Sequence, residues 1–304
     1  MLKQRFLEHL RYERRCSENT VLGYARDLEQ FQNSLGEGVG LHEAGHRDVK
    51  RWLMALIAAG TLPRSVNRKL SALRAFYRFA RTVDPQVSDP TALIEAPKAG
   101  KRLPEFVPAS RMDALFQGLA ERGDARSIRD RLILEAFYGT GMRLAELIGL
   151  ELGAVDLQRG TVRVLGKRNK ERIIPIGEQL QQAIRDYLTV RVPYRGGEMP
   201  EPLLLNDRGG SLSRRSVQRI VTQYLGGVTT QKKRSPHVLR HTFATHMLEQ
   251  GADLNAVKEL LGHADLSATQ VYTHNTVEKL RKVHAQAHPR GGGPDKRPEN
   301  ENEP

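Results

Sequence analysis

The chain has 304 residues and carries 48 lysines and arginines against 35 aspartates and glutamates, a formal charge of +13. With 39 % hydrophobic residues it can bury two cores, at roughly 100–200 residues per domain, which excludes disorder throughout. So basic a balance makes a polyanion the expected partner, and nucleic acid fits better than membrane because no segment reaches the roughly 20 apolar residues of a span. Membrane insertion is not expected. The opening MLKQRFLEHLRYERR is charged throughout, unlike a signal peptide, and the single cysteine, Cys16, has no internal partner. Both fit a reducing cytoplasm.

In chain order, Leu2, Phe6, Leu7 and Leu10 form one helical stripe and Val21, Tyr24, Leu28, Phe31 and Leu35 a second. A third helix, over Val49, Trp52, Leu53, Leu56 and Ile57, is predicted to end at Gly60 in a C-terminal cap. The fourth, between Thr61 and Thr82, holds Arg64, Arg68, Lys69, Arg74, Arg78 and Arg81 and no acid, while Val66, Leu70, Leu73, Tyr77 and Ala80 keep helical spacing. Basic residues along a helix over an apolar underside are the footprint of a helix laid against DNA phosphates, so these six are the candidate DNA-binding residues. A solvated face is the plain alternative.

Residues 84–103 hold three prolines and no sustained apolar period, which predicts a linker between a helical domain, 1–83, and a second domain, 104–288. There, Ser110 followed by Asp113 resembles a capping box, and Ile128 to Tyr138 reads as a buried helix stopped by Gly139. Thr161 to Leu165 and Arg172 to Ile176 are β-branched runs around Gly-Lys-Arg-Asn-Lys, a hairpin. Helices follow at Glu178 to Val190, Ser213 to Leu225, Pro236 to Gln250, Leu254 to Leu261 and Val277 to Ala287. The Gly-, Pro- and charge-rich residues 289–304 read as a disordered tail. The fold class is therefore mainly α, with a small β element in the second domain.

Six polar residues of that domain stand beside predicted turns and helix starts: Arg143, Lys167, His237, Arg240, His263 and Tyr272. Each alone is unremarkable, since a cation is most often solvated and a tyrosine most often core. Together they offer cationic donors for one phosphate and a phenol to attack it. Two forked guanidiniums suit the charge that develops on the non-bridging oxygens, and nearby positive charge with a histidine base favours the phenolate. His237 and His241 have the spacing of a helical zinc pair, but Val238 stands where a metallopeptidase needs glutamate. There is no Gly-x-Ser-x-Gly and no Walker lysine. Phosphate chemistry with neither nucleotide nor metal points to transesterification, with no cofactor.

The stretches GTGMRLAELIGL, VLGKRNKERIIPI and SPHVLRHTFATHMLEQGADLNAVKELLGHADLSATQVYTH, with their spacings, resemble the tyrosine recombinases. TVLGYARDLEQF and SVNRKLSALRAFYRFA resemble the SAM-like core-binding domain of the Xer branch, so the likeness runs from residue 1 to about residue 285. It implies that Arg143 and Arg240 are the paired arginines, Lys167 the acid that protonates the leaving 5′ oxygen, His237 and His263 the acid/base and phosphate-binding pair, and Tyr272 the nucleophile. It implies cleavage through a 3′-phosphotyrosyl link without metal or ATP. It also implies double-stranded DNA as substrate, a second Xer-type recombinase in a heterotetramer on two sites, resolution of chromosome dimers, and control by a septal DNA translocase of the FtsK type. The stripe Val277, Leu280, Val283 and Ala287 is expected, on the same ground, to dock in a neighbouring subunit. An integrase of a phage or mobile element is the alternative within this chemistry, and a non-catalytic DNA-binding protein the one outside it.

One departure stands in the hairpin, where Arg168 replaces the second glycine of the family's Gly-Lys-Gly-Asn-Lys. Glycine adopts positive φ cheaply and arginine does not, which makes Lys170 the fallback acid should Lys167 sit differently. Glu146, one helical turn beyond Arg143, either orients that guanidinium or forms an ordinary surface pair.

Overall fold

The long basic segment does form one helix, α4, Pro63–Val83. Proline at its first turn presets φ and gives up only an amide that the first turn leaves unused. Its underside buries Val66, Leu70, Leu73, Phe76, Tyr77 and Ala80 against α1 (Leu2–Glu8), α2 (Glu18–Gln32) and α3 (His46–Ala58). The computed structural model describes residues 2–98, 100, 106–166, 171–197, 200–229, 234–262 and 274–291. The chain divides into two units between Arg102 and Leu103.

In the first unit α1 runs on into a π-helical turn, His9–Glu13, and the Ser17 hydroxyl caps α2 by accepting the Thr20 amide. Gly60, at φ 77°, lets the Thr61 amide reach back to the Leu56 carbonyl at 2.9 Å, the cap expected there. The predicted linker differs. Ile94 is 8 % exposed within the core of Phe6, Phe31 and Trp52, Asn67 donates to the Pro97 carbonyl, and Arg74 donates to the Ile94 carbonyl. Prolines remove helical period but not packing: an irregular segment is held where side chains satisfy its backbone carbonyls.

The second unit is built around α6, Ala125–Thr140, buried on nearly every side. Against it lie α5 (Ala109–Ala120), α8 (Glu178–Val190), α9 (Arg214–Val228) and α10 (Pro236–Glu249). The short helix α7 (Leu144–Ile148) leads to an antiparallel sheet of β1 (Val155–Asp156), β2 (Thr161–Leu165) and β3 (Glu171–Pro175) in that order. Val162 faces Ile174 and Val164 faces Arg172, so Arg172 lies on the apolar face of the sheet. The helices α11 (Leu254–Leu261) and α12 (His274–Ala287) complete the unit. The mainly helical reading with a small sheet holds.

Three local expectations are corrected. Gly139 does not stop α6, which continues to Thr140 and ends where Gly141 takes φ 60°. Ser110 and Asp113 form no capping box, because α5 starts at Ala109 behind Pro108, which puts Ser110 inside the first turn. The apolar stripe of α12 does not wait for a neighbour. Leu280 and Ala287 are buried in their own unit, and Arg290, read as part of the tail, pairs with Glu135 and Asp113 and lies over the Phe116 ring at 4.4 Å. Residues 292–304 lie outside the described residues.

Candidate active site

A helix leaves its last carbonyls without intrahelical partners, and at the end of α11 three arginines supply them. Arg172 Nε donates to the Leu260 carbonyl at 3.1 Å, Arg240 Nη2 to Leu261 at 2.8 Å and Arg143 Nη2 to Gly262 at 3.0 Å. Three consecutive carbonyls thus take guanidiniums from three separate elements: β3, α10 and the start of α7. Gly262 is left-handed at φ 64°, and a Cβ there would stand 3.0 Å from Arg172 Nη1. Only glycine fits both demands. Arg240 is tied a second time, Nη1 to the Gly141 carbonyl at 2.6 Å, so the turn that ends α6 also fixes this guanidinium.

Glu146 joins the set from below. Its carboxylate accepts the Arg143 amide at 2.7 Å, Arg143 Nη1 at 2.8 Å, and Arg172 Nη1 and Nη2 at 2.8 and 2.9 Å. Burial alone would raise its pKa, but the Arg172 bonds and charge, then the Arg143 amide and guanidinium, pull it down to about 2. Arg240 is pushed down too, to about 10, by burial and by the charge of Arg143, which Glu146 only partly offsets. Among the described residues Arg143 and Arg172 bond this one carboxylate and Arg240 stands near it, so the cluster carries excess positive charge in a partly buried place. A phosphate would relieve it.

The phage integrase family model matches residues 105–279, and the model of the phage integrase N-terminal SAM-like domain matches residues 4–82. The chain belongs to the phage integrase family. This tyrosine recombinase is 42 % identical to tyrosine recombinase XerC of Pelobacter propionicus, covering 95 % of the chain and 96 % of that relative. It is 40 % identical to tyrosine recombinase XerD of Halalkalibacterium halodurans, covering 94 % and 97 %. In fold it is similar to the Tn1549 transposon integrase in complex with circular intermediate DNA, at a TM-score of 0.71 and 18 % identity over 91 % of the chain and 98 % of that one. It is also similar to a lambda integrase dimer bound to a core site, at 0.68 and 18 % over 89 % and 97 %. The recombinase is thus an Xer-type, DNA strand-transferring enzyme by family, with both domains of the family present.

Of the expected catalytic residues, Arg143 and Arg240 are brought together on the end of α11, and His237 is exposed in the first turn of α10, three residues before Arg240. Lys167, His263 and Tyr272 lie outside the described residues, as do Arg168 and Lys170. The histidines of the zinc reading differ in setting: His237 faces solvent, whereas His241 is half-buried with Nε2 3.5 Å from the Thr245 hydroxyl. Among the described residues no cluster of three or more histidines, cysteines or carboxylates could hold a metal ion. No described helix is long and apolar enough to cross a membrane.

The six basic residues of α4 divide. Arg64, Arg78 and Arg81 are exposed, as is half of the Arg68 side chain. Arg68 forks onto Asp27, Lys69 reaches Asp27 at 3.1 Å and also Gln30, and Arg74 holds the Ile94 carbonyl at 2.5 Å. Asp27, on α2, is 1 % exposed, so an acid absent from the helix's own sequence comes to it from the neighbouring helix. Sequence reasoning missed Arg172 altogether. The signal was present: an arginine alternating with Ile174 on a strand must enter the core and there needs a carboxylate.

Proposed function

We propose that this recombinase cleaves and rejoins duplex DNA through Tyr272. The phenolate oxygen attacks the scissile phosphorus, a 3′-phosphotyrosyl bond forms, and the P–O5′ bond breaks. The leaving 5′ oxygen takes a proton from Lys167, with His237 and His263 serving as acid/base and phosphate ligands. Attack of a 5′-hydroxyl on the phosphotyrosyl bond reverses the step, so neither ATP nor metal is consumed. Arg143 and Arg240 carry the reading: two forked donors fixed on the adjacent carbonyls of Gly262 and Leu261 in a region of surplus positive charge. Double-stranded DNA is the substrate, and the exposed arginines of α4 contact its backbone.

Near-full-length similarity to proteins named XerC and XerD supports a place in a pair of Xer-type recombinases, and we propose that the pair resolves chromosome dimers in the cytoplasm under a septal DNA translocase. We assign it the XerC part of such a pair, the relative of that name matching at 42 % identity against 40 % for the one named XerD. A nicked suicide duplex carrying candidate chromosomal sites tests the chemistry on a denaturing gel. A covalent adduct is expected with the unaltered protein, none with Tyr272→Phe at unchanged DNA affinity, and no loss of adduct in EDTA. An adduct surviving in Tyr272→Phe would move the nucleophile, and EDTA loss restored by a divalent metal would overturn the metal-free mechanism.

A further inference from the structure

The three arginines on the end of α11 are not equivalent. Arg143 keeps 35 % of its side chain exposed, and among the described residues only two of its five N–H donors are taken. The Arg172 side chain is 5 % exposed, and all three of its nitrogens are committed within the protein. It is shut away from any ligand that Arg143 could grip. Its position is nevertheless central, since among the described residues it is the one side chain that bonds both oxygens of Glu146 and also the helix end on which Arg143 and Arg240 rest.

We infer that Arg172 is a positioning residue for strand transfer: by bracing Glu146 against the Leu260 carbonyl it fixes the frame in which Arg143 and Arg240 meet the phosphate. The role rests on the reading that these two arginines grip the scissile phosphate. Its logic is geometric. A Glu146 without Arg172 has one guanidinium left to bond through side chains, that of Arg143, and draws it toward itself and away from Gly262. The Leu260 carbonyl loses its partner at the same time, and Gly262 is freed from the guanidinium packed 3.0–3.2 Å from where its Cβ would be. Both contacts of Arg143 loosen at once. Misplacement by about 1 Å costs on the order of 10²-fold in a positioned reaction.

The charges acting on Glu146 come from Arg172 on β3, Arg143 at the start of α7 and Arg240 on α10. With Arg172 present the carboxyl stays ionised through the whole range in which the protein can be assayed. Without its main partner the carboxyl moves up, and burial, the largest single influence on it, carries it toward the weakly acidic range. A new acid-side step in activity should then appear.

The experiment compares Arg172→Gln, Arg172→Lys, Glu146→Gln and the double variant Arg172→Gln with Glu146→Gln, each as full-length protein. Single-turnover adduct formation on the nicked suicide duplex is followed from pH 5 to 8, with half-site affinity and melting temperature in parallel. For Arg172→Gln, affinity should stay within about threefold while the adduct rate falls by about 10². Its rate relative to the unaltered protein should fall further toward pH 5, and that extra fall should vanish in the double variant. Arg172→Lys keeps the charge without the fork, and should recover melting temperature more than rate. A rate equal to the unaltered protein in Arg172→Gln or in Glu146→Gln, or a loss in Arg172→Gln that tracks melting temperature with no new pH step, would overturn the positioning role alone. No adduct with the unaltered protein on any site would overturn the strand-transfer reading and the role with it.

Discussion

Arginine at position 143 makes its bonds to Glu146 and to the Gly262 carbonyl from two separate nitrogens of a planar fork, which the single ammonium of lysine lacks. Arg143→Lys keeps the charge and loses the fork, so half-site binding in a gel shift should persist while single-turnover cleavage falls by about 10² or more. Near-normal cleavage would remove Arg143 from the transition state. At this scale the sequence showed which residue types could act, because Gly-Thr-Gly-Met-Arg and Pro-His-Val-Leu-Arg-His put arginines beside turns. Of what holds them it showed Glu146 beside Arg143 and nothing more. Their other partners are backbone carbonyls at the ends of α6 and α11, and a carbonyl has no letter in a sequence. Gly141 is half an exception: its φ of 60° and the 2.5 Å between its would-be Cβ and Phe243 demand glycine, and glycine is what stands there.

At the scale of the element, α12 shows how one helix can secure another. His284 Nε2 donates to the Gly139 carbonyl at 2.7 Å and His288 Nε2 to the Tyr138 carbonyl at 3.0 Å, capping the open end of α6 just before Arg143. His288 Nδ1 accepts the Arg290 amide at 3.1 Å, so the partners require the neutral ring with its proton on Nε2. Both rings are buried and stack at 5.0 Å, and burial pushes both below the usual histidine range, with His284, His246 and Arg290 adding to the effect on His288. A histidine depressed in the fold takes up its proton first in the unfolded chain. The stability it lends is therefore full above about pH 6.5 and falls as the pH drops below that value. Melting temperature should decline between pH 7.5 and 5.5, and the decline should shrink in His284→Gln with His288→Gln, since glutamine still donates to the carbonyls. An unchanged decline would place the acid sensitivity elsewhere.

The same contacts reverse the expectation drawn from the α12 stripe. Truncation before Val277 removes Leu280, both histidines and the partner of the buried Glu135, and should lower melting temperature by roughly 5 °C or more. Removal of residues 292–304 should cost nothing measurable. Equal melting of both truncations would mean that α12 lends its own unit little. Periodicity found this helix and its apolar stripe, as it found α8 and α11 to the residue, but a stripe states only that it must be covered. What covers it depends on elements far away in sequence, here β3, α10 and α11.

Over the whole molecule the +13 charge foretold a polyanion, yet net charge does not say which cations are available to it. Arg68 and Lys69 are bound to Asp27, which is 1 % exposed, and their joint loss would strand a buried carboxylate at a cost of about 3–5 kcal/mol. Those two substitutions therefore belong to stability as much as to binding. Arg78 and Arg81 are exposed on the same helix, one turn apart, and can meet phosphates without breaking the fold. Each phosphate that a cation neutralises releases condensed counterions, so the slope of log affinity against log salt counts the phosphates engaged. Replacing Arg78 and Arg81 by glutamine should leave melting temperature within about 2 °C, weaken binding to every duplex alike, and lower the salt slope by about one for each phosphate no longer neutralised. Gel-shift titrations from about 50 to 200 mM salt, on a candidate site and on random duplex, separate the outcomes. Equal weakening on both duplexes with a shallower slope marks phosphate binding; weakening confined to the candidate site at constant slope would make α4 a reader of bases. An unchanged slope and affinity would remove these two arginines from the DNA surface and leave the excess charge of the chain to be matched by residues outside α4.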